Sequence, residues 1–513
     1  MDTTTPTPAS RTELLRRARE RGISGHTSMS KQQLVTALQV EQPQPDAAEL
    51  ESGAKRADGR REVGSRVDAF TALAAARARG EMVLIPRMLT GNDRRMHVRE
   101  TVREDHETRI AGHNVEARQK FDKLAGSLFS FFRGTSLLFY RDLAGEDARM
   151  PTVLALGDVH PSNFGVMPSS DNVPIFGVND FDEAYYAPFT WDLKRGAVGF
   201  LLAAETKGEH GSKKQRAIAE RFVRGYIGGI ASYAADGTES GEQLRMDNAP
   251  ALIADLIERA LARSRAEWLA GDYLDDARRG FRATDRLIPI SSRREEFQGL
   301  IDRYVTDDQL AVPERAGRMR VKDVAERKGA GTASLGLSRY YVLVEGPQAD
   351  GTDDLLLEIK QARQSALSGL VPPTDYVVDG KADRIRHAQR VHLVDGDIFY
   401  GSLDFEGMSF MVRERAPYRD GISLGSLSTG DWKDYAEICG RVLAHTHAMS
   451  DDTGNIDYDI EPAILDAIGG HDLFVDDMLR FAEEAAARVR IDHWHFVRDH
   501  ALGAFRSVDV VYR

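Results

Sequence analysis

Three oxygen-bearing side chains lie at or near the ends of two apolar runs in the first third of the chain. Asp158 lies two positions after the run 153–156, Asn163 comes five positions later, and Asp180 lies two positions after the run 173–178. Magnesium prefers hard oxygen ligands, and phosphoryl transfer needs metal ions between phosphate oxygens. We therefore expect Asp158 to accept or orient the proton of a nucleophile, and Asn163 and Asp180 to hold Mg²⁺. Each residue alone is also typical of a turn or a loop end.

Two arginines and a further aspartate are expected to support this set. Arg133 follows the apolar run 129–132, and its guanidinium either grips a phosphate bidentately or pairs with an aspartate such as Asp158 to lock the loop. Asp192 and Arg195 lie at the start of the next predicted helix. We expect them to anchor the loop that carries Asp158.

The motif GDVHPSN at 157–163 and the triplet DFD at 180–182 resemble known phosphotransferase signatures. They are similar to the catalytic loop and metal-binding triplet of aminoglycoside phosphotransferases and choline-type kinases, which belong to the protein-kinase-like superfamily. The resemblance implies that Asp158 and His160 are catalytic, and that Asn163, Asp180 and Asp182 are metal ligands.

A longer series of segments resembles a bacterial family known as domain of unknown function 2252. The segments are FSFFRGTSLLFYRDL, GDVHPSNFG, NDFDEA and WDLKRGAVGF, and the likeness runs from about residue 66 to the C-terminus. The family is placed with kinase-like folds, without a settled substrate. Its Phe-Phe-Arg-Gly run adds Arg133 to the candidate catalytic residues.

A kinase-like site also needs a glycine-rich loop and a strand lysine for the phosphates, and both occur downstream of Asp158. Residues 66–150 read mainly as helical. A turn containing Gly329, Gly331, Ser334 and Gly336 precedes a predicted strand at 340–345. The next strand, 355–360, ends in Lys360 after a polar hairpin at 346–354. We expect this loop and Lys360 to hold the phosphates of ATP.

The remaining predicted elements follow the order of a kinase N-terminal lobe. A helix at 382–394 is followed by paired strands at 398–403 and 409–413 and a hinge-like segment at 413–421. The helix at 435–449 resembles the one that leads into a phosphotransferase catalytic loop, but no such loop follows it. We therefore predict an α+β, two-lobed kinase-like fold that is circularly permuted. The alternative is an unrelated β-domain at 329–415.

Two departures from the kinase pattern leave activity open. Ser334 stands where a third glycine is usual, and the helix after Lys360 offers no clear glutamate partner, since Asp383 and Gln389 are the nearest candidates. The main prediction is an ATP- and Mg²⁺-dependent phosphotransferase whose acceptor is unknown. The alternative is an inactive kinase-like regulator docked to nucleic acid or a partner.

A third hypothesis is a two-metal phosphoesterase, since the motif at 157–160 and the pair His445 and His447 resemble calcineurin-like metal motifs. It requires an Asn-His pair, and the chain has none. We therefore expect both histidines to be satisfied within a partly buried helix turn.

Composition limits the remaining classes. The 513 residues include 68 basic and 80 acidic side chains, which gives a formal charge of −12, and a single cysteine, Cys439. One cysteine forms neither an internal disulfide nor a thiolate metal cage. No signal peptide and no apolar run of about 18 residues is visible, so we expect no membrane partner and a cytoplasmic location.

The N-terminal segment differs in charge from the rest of the chain. Residues 1–9 are predicted to form a disordered tail, 10–40 a basic helical hairpin and 41–65 a flexible linker before the kinase-like domain at 66–513. Within that domain we divide 66–300 (catalytic loop and C-lobe helices), 320–416 (glycine loop and lysine) and 417–513 (C-terminal helices). The hairpin resembles the subdomain that opens the Rho terminator, which implies docking to nucleic acid or another partner. The alternative is a solvated basic helix face.

Overall fold

The computed structural model describes residues 66–506, except 82, 84, 112–114, 330–335, 379 and 453–454, together with the single position Arg17. The described residues form many helices and a smaller number of strands, which confirms the α+β class. The predicted tail, hairpin and linker lie outside the described residues apart from Arg17. No helix in the described part of the chain is long and apolar enough to cross a bilayer.

The helices and strands alternate in blocks along the chain. The helices are α1 (Arg66–Ala78), α2 (Gly91–Asp105), α3 (Glu107–Ala111), α4 (Val115–Gly126), α5 (Leu128–Gly134), α6 (Ser136–Leu143), α7 (Phe189–Thr206), α8 (Ser212–Asp236), α9 (Ala251–Leu261), α10 (Arg265–Asp272), α11 (Arg294–Asp307), α12 (Ala382–His392), α13 (Thr429–Ala448), α14 (Ile460–Ile468) and α15 (His471–Ala501). The strands are β1 (Thr152–Ala155), β2 (Phe164–Pro168), β3 (Pro174–Val178), β4 (Tyr185–Pro188), β5 (Leu287–Pro289), β6 (Val321–Arg327), β7 (Arg339–Val344), β8 (Leu355–Gln361), β9 (Gly401–Phe405) and β10 (Met408–Glu414).

The largest sheet has six strands in the order β5-β6-β7-β8-β10-β9, and every neighbouring pair is antiparallel. Side chains of successive strand residues point to opposite faces. Leu357 and Ile359 of β8 therefore join the core beneath α11, whereas Leu356 joins a second core that includes Leu269 of α10. Lys360 shares the period of Leu356, which places it on the face opposite α11.

Two short two-stranded antiparallel sheets, β1–β4 and the hairpin β2–β3, lie on a helical body. In that body the fully apolar stretches of α7, α8 and α13 contribute to the largest hydrophobic core. The β2–β3 register pairs Phe164 with Val178. This pairing brings Asn163, which precedes β2, beside the residues that follow β3.

The sequence predictions for the two strands at 153–156 and 173–178, and for the strands at 340–345 and 355–360, are confirmed with small shifts in their ends. The helix predicted at 382–394 ends at His392. Helix α13 begins earlier than predicted because Ser428 and Asp431 form a capping box at its start.

Strand β6 was missed, although it precedes the predicted glycine turn. Its sequence VKDVAER mixes charged and apolar residues, and a bulge between Val321 and Asp323 breaks the strand periodicity. Strand β6 is hydrogen-bonded to β7, so the segment between Arg327 and Arg339 connects two adjacent antiparallel strands.

Candidate active site

The loop that carries Asp158 is held from below by a buried carboxylate. Asp192, at the start of α7, accepts hydrogen bonds from the backbone N–H groups of Leu156 at 2.6 Å and Gly157 at 2.9 Å. His447 of α13 contacts the same carboxylate at 3.1 Å, and its other ring nitrogen lies 2.8 Å from the Tyr226 hydroxyl. The expected anchoring role of Asp192 therefore agrees with its contacts.

These contacts also account for the histidine pair. Both ring nitrogens of the fully buried His447 are used, and His445 Nε2 lies 2.8 Å from the carbonyl oxygen of Glu239. Both side chains support the fold in the way the sequence predicted. Neither geometry favours the two-metal phosphoesterase.

Asp158 lies among cations. Arg195 Nη2 is 2.8 Å from Asp158 Oδ1, and the same guanidinium packs 3.7 Å above the Phe132 ring. Burial alone would raise the pKa of Asp158, but Arg195 and then His160 hold it below its ordinary value. Asp158 is therefore an ionised hydrogen-bond acceptor at neutral pH.

His160 and Arg133 form a second layer next to Asp158. Arg133 Nε donates to His160 Nε2 at 3.1 Å, and the Arg133 guanidinium lies over the Phe129 ring. Burial, and then the charge of Arg133, lower the pKa of His160 to about 4, so its imidazole is neutral at pH 7. Both residues reach the catalytic loop, and His160 is almost fully buried.

Asn163 and Asp180 are brought together by the β2–β3 hairpin. The amide nitrogen of Asn163 donates to the Asp158 carbonyl oxygen at 2.8 Å, so its Oδ1 atom is the one that can face a metal ion. The backbone N–H of Asn179 donates to the Asn163 carbonyl oxygen at 3.1 Å, which places Asp180 at the next position. The predicted oxygen ligands thus occupy one edge of the same hairpin.

Asp182 of the triplet loop and Lys360 of β8 form an ion pair, which joins the helical body to the six-stranded sheet. The Lys360 ammonium is almost fully buried, and Asp182 is one-quarter exposed. Burial and then the charge of Asp182 raise the pKa of Asp180, whereas Lys360 lowers the pKa of Asp182 against the effect of its burial. The structure therefore brings the predicted phosphate lysine to the predicted metal triplet.

Helix α12, which follows Lys360, supplies no carboxylate partner for this lysine, as its sequence indicated. Asp383 accepts from the Ser402 hydroxyl, and Gln389 is buried. Instead, α12 contributes Arg384, whose guanidinium donates to the backbone carbonyls of Asp182, at 2.7 Å, and of Ala184. The Arg384 side chain of α12 thus holds the main chain of the triplet loop in place.

Glu358 and its arginines are site residues that the sequence reasoning missed. Glu358 is fully buried two positions before Lys360, and it pairs with Arg339 at 2.9 Å and with Arg413 at 2.6 Å. The β8–β10 register places Arg413 directly opposite Glu358. The alternation of Leu356, Glu358 and Lys360 on one face was the signal that could have found this pair.

The predicted glycine loop is described only at its ends. Gly329 and Gly336 have φ angles of +67° and +80°, a backbone region that favours glycine. Gly331 and Ser334 lie outside the described residues. The loop connects the neighbouring strands β6 and β7, and β7 lies next to β8, which carries Lys360. This agrees with the predicted order, in which the loop precedes the strand that carries the lysine.

A narrow cleft lies beside the triplet. Its charged lining residues are three carboxylates, Asp105, Asp182 and Glu183, and three cationic side chains, Lys120, Arg133 and Arg363. Arg363 pairs with Asp105 at 2.8 Å. The cleft therefore presents charges of both signs next to the triplet.

Comparison with known proteins adds one finding to this geometry. The model of a family described as an uncharacterized protein conserved in bacteria, DUF2252, matches residues 113–499. No curated protein and no solved structure gives a significant match. The matched region contains the Asp158 loop, the triplet and Lys360, and it covers well over half of the chain. The chain therefore belongs to the bacterial DUF2252 family.

Proposed function

We propose that this protein is an ATP- and Mg²⁺-dependent phosphotransferase with a circularly permuted kinase-like fold. The observation that carries the proposal is the ion pair between Lys360 and Asp182, two residues 178 positions apart. One triphosphate has to contact both a metal held by the triplet and the strand lysine. The pair puts the lysine within reach of that metal position.

The oxygen set fits a magnesium ion. Burial and then the charge of Asp182 raise the pKa of Asp180, and a divalent cation would offset the repulsion between the two carboxylates. Asn163 and the two aspartates would hold the ion. When bound, Mg²⁺ would neutralise phosphate oxygens.

Lys360 would exchange Asp182 for the phosphates when the nucleotide enters. Its position on β8 lies next to β7, the strand that follows Gly336. Gly336 and Gly329, with their positive φ angles, allow tight turns at both ends of the loop between β6 and β7. The network of Glu358 with Arg339 and Arg413 keeps β8 in register below the lysine.

The end of α13 supports the permuted order. Ser450, just beyond this helix, accepts a hydrogen bond from the Leu154 N–H of β1 at 3.1 Å. A chain that passed from α13 into β1 would then run straight into the Asp158 loop. In the actual sequence the two segments are almost 300 positions apart, which is what a permutation predicts.

Asp158 would orient the acceptor rather than remove its proton early in the reaction. A carboxylate whose pKa lies below the ordinary value is a weak base, but it accepts a hydrogen bond from a hydroxyl. Arg133 and Arg363 line the adjacent cleft, where they would attract an anionic part of the acceptor or the transferred phosphoryl group. The acceptor itself stays open.

An inactive kinase-like regulator is the second candidate. It is favoured by the absence of a carboxylate from α12 next to Lys360. In this function the basic segment 10–40 would dock the chain to nucleic acid or another partner. Binding of ATP without conversion to ADP in the presence of candidate acceptors would favour this alternative.

Calorimetric titration of ATP with and without Mg²⁺ tests the proposal. We expect wild type to bind ATP in a Mg²⁺-dependent manner and Asp180→Ala to bind it at least tenfold more weakly. Asp171→Ala is the matched control, because Asp171 is an exposed aspartate before β3 with an ordinary surface partner, Arg245. Absence of Mg²⁺-dependent ATP binding in wild type contradicts the proposal.

A further inference from the structure

A second cavity lies away from the catalytic loop, on the other side of β3. It has a volume of about 580 Å³ and is enclosed by β3, α9, α13 and the C-terminal end of α12. This volume lies within the range of small-molecule sites, which is about 300–1,000 Å³. None of the residues assigned above to metal or phosphate binding lines it.

The inner wall is apolar and the rim is acidic. The inner side chains include Ile175, Val178 and Ile438, with Leu252 of α9 opposite them. The charged lining residues are Glu242, Asp434, Glu437 and Arg441. Three carboxylates against one guanidinium disfavour the entry of an anion. The apolar inner wall disfavours a charge of either sign, so the cavity suits an uncharged molecule.

His392 supplies a polar group to this cavity. It is 2% exposed, and neither ring nitrogen has a hydrogen-bond partner in good geometry among the described residues. The Leu154 carbonyl acts to raise the pKa of His392, but it does not form a hydrogen bond of good geometry with the ring. Burial keeps the pKa of His392 well below its ordinary value, so the neutral ring presents one donor and one acceptor. Buried polar groups without partners are costly in proteins, and a ligand would remove that cost.

His392 also connects the cavity to the metal triplet. Its ring stacks on Phe181, the central residue of the triplet, with centroids 6.1 Å apart and planes inclined by 17°. Val178, on the wall, lies two positions before Asp180. An occupant would therefore restrain the triplet loop from behind.

We infer that this cavity binds a compact, uncharged and mostly apolar molecule whose single polar group hydrogen-bonds to His392, and that its binding orders the triplet loop. The inference does not rest on phosphotransferase activity. A ligand that orders Phe181 also changes the affinity of any ligand held by its neighbours Asp180 and Asp182, by the reciprocity of coupled binding.

The test uses N-phenyl-1-naphthylamine, an uncharged fluorescent molecule with one N–H donor, titrated into the full chain. Wild type should bind it saturably at one site. Leu252→Trp, which fills the cavity, should weaken binding at least tenfold. The matched control Leu261→Trp changes an exposed leucine of the same helix that does not line the cavity, and should stay within twofold of wild type.

A second variant guards against misfolding of the first. His392→Phe keeps the ring stack but removes both nitrogens, and it should weaken binding about fivefold. Hydrogen exchange with and without the dye should show protection of residues 177–186 in wild type and less protection in this variant. Wild type without saturable binding, equal affinity of the two tryptophan variants, or an unprotected triplet segment would each overturn the inference.

Discussion

Lys360 Nζ donates a hydrogen bond to Asp182 Oδ2, and this contact joins the six-stranded sheet to the loop that follows β3. In a conventional kinase the strand lysine precedes the metal-binding triplet along the chain, whereas here Asp182 precedes Lys360. If Lys360 holds the phosphates, Lys360→Met should lower Mg²⁺-ATP affinity by at least tenfold in calorimetry. Lys381→Met replaces an exposed lysine and should leave the affinity unchanged.

A lysine that served only the fold would give a different result. Lys360→Met would then lower the free energy of unfolding by about 1–3 kcal/mol, because the Asp182 carboxylate loses its partner, but nucleotide affinity would match that of the control.

Asp192 is predicted to be essential for the catalytic loop. In Asp192→Asn one of the two backbone N–H groups now bonded to the carboxylate faces an N–H₂ group instead. We expect the free energy of unfolding to fall by about 2–3 kcal/mol in urea denaturation. Asp477→Asn, at an exposed position of α15, should change it by less than about 0.5 kcal/mol. Equal stability of the two variants would refute the anchoring role.

Gly157 is predicted to allow the close approach of the catalytic loop to the triplet loop. Its φ is +75°, and a Cβ atom there would lie 2.4 Å from the Glu183 carbonyl oxygen. Gly157→Ala should therefore destabilise the protein by about 1–3 kcal/mol in thermal melts. Gly228→Ala lies in α8 with open space around it, and should stabilise the helix by about 0.5–1 kcal/mol. A Gly157→Ala protein as stable as wild type would contradict this account.

Asp397 should contribute a loss of stability as pH rises. Burial, and then the charge of Glu414, raise the pKa of Asp397 to about 7 from an unfolded value near 4. Between these values the folded state binds more protons than the unfolded state, so the stabilisation is present at low pH and is lost as pH rises through 7. From pH 5 to pH 8 this group should cost about 3 kcal/mol.

Urea denaturation at several pH values tests this effect with a matched pair. Asp397→Asn should make the slope between pH 5 and pH 8 less steep without abolishing it, because burial also raises the pKa of Glu183 to about 7 and that of Glu461 to about 8. Asp404→Asn, at an exposed site on β9, should leave the slope unchanged. An unchanged slope in Asp397→Asn would assign the pH dependence to another group.

The local pattern around the candidate site survives folding better than the pattern of the sheet. Asp158 and Asp180 follow short apolar runs that form β1 and β3 in the structure, and Asn163 lies between them, immediately before β2. Strand β6 was missed because charged residues interrupt its alternation.

Pairing across long sequence separations explains the other gaps. Glu358 and Arg413 look like ordinary surface charges until the β8–β10 register places them opposite each other. Helix α12 contributes Arg384 to the triplet loop where a conventional kinase helix contributes a carboxylate. This role could not be predicted without knowing which backbone carbonyls α12 faces. Contacts of this kind depend on tertiary structure, which a single sequence does not encode locally.

Lysine labelling shows whether Lys360 and the triplet contact one ATP molecule. An acyl-phosphate derivative of ATP acylates an amine that lies beside its terminal phosphates, and peptide mass spectrometry identifies that amine. We predict that Lys360 is the labelled residue in wild type, that labelling requires Mg²⁺ and is blocked by excess ATP, and that Asp180→Ala prevents it. Labelling of other lysines only, or labelling of Lys360 that neither ATP nor Asp180→Ala reduces, would contradict the proposal that they do.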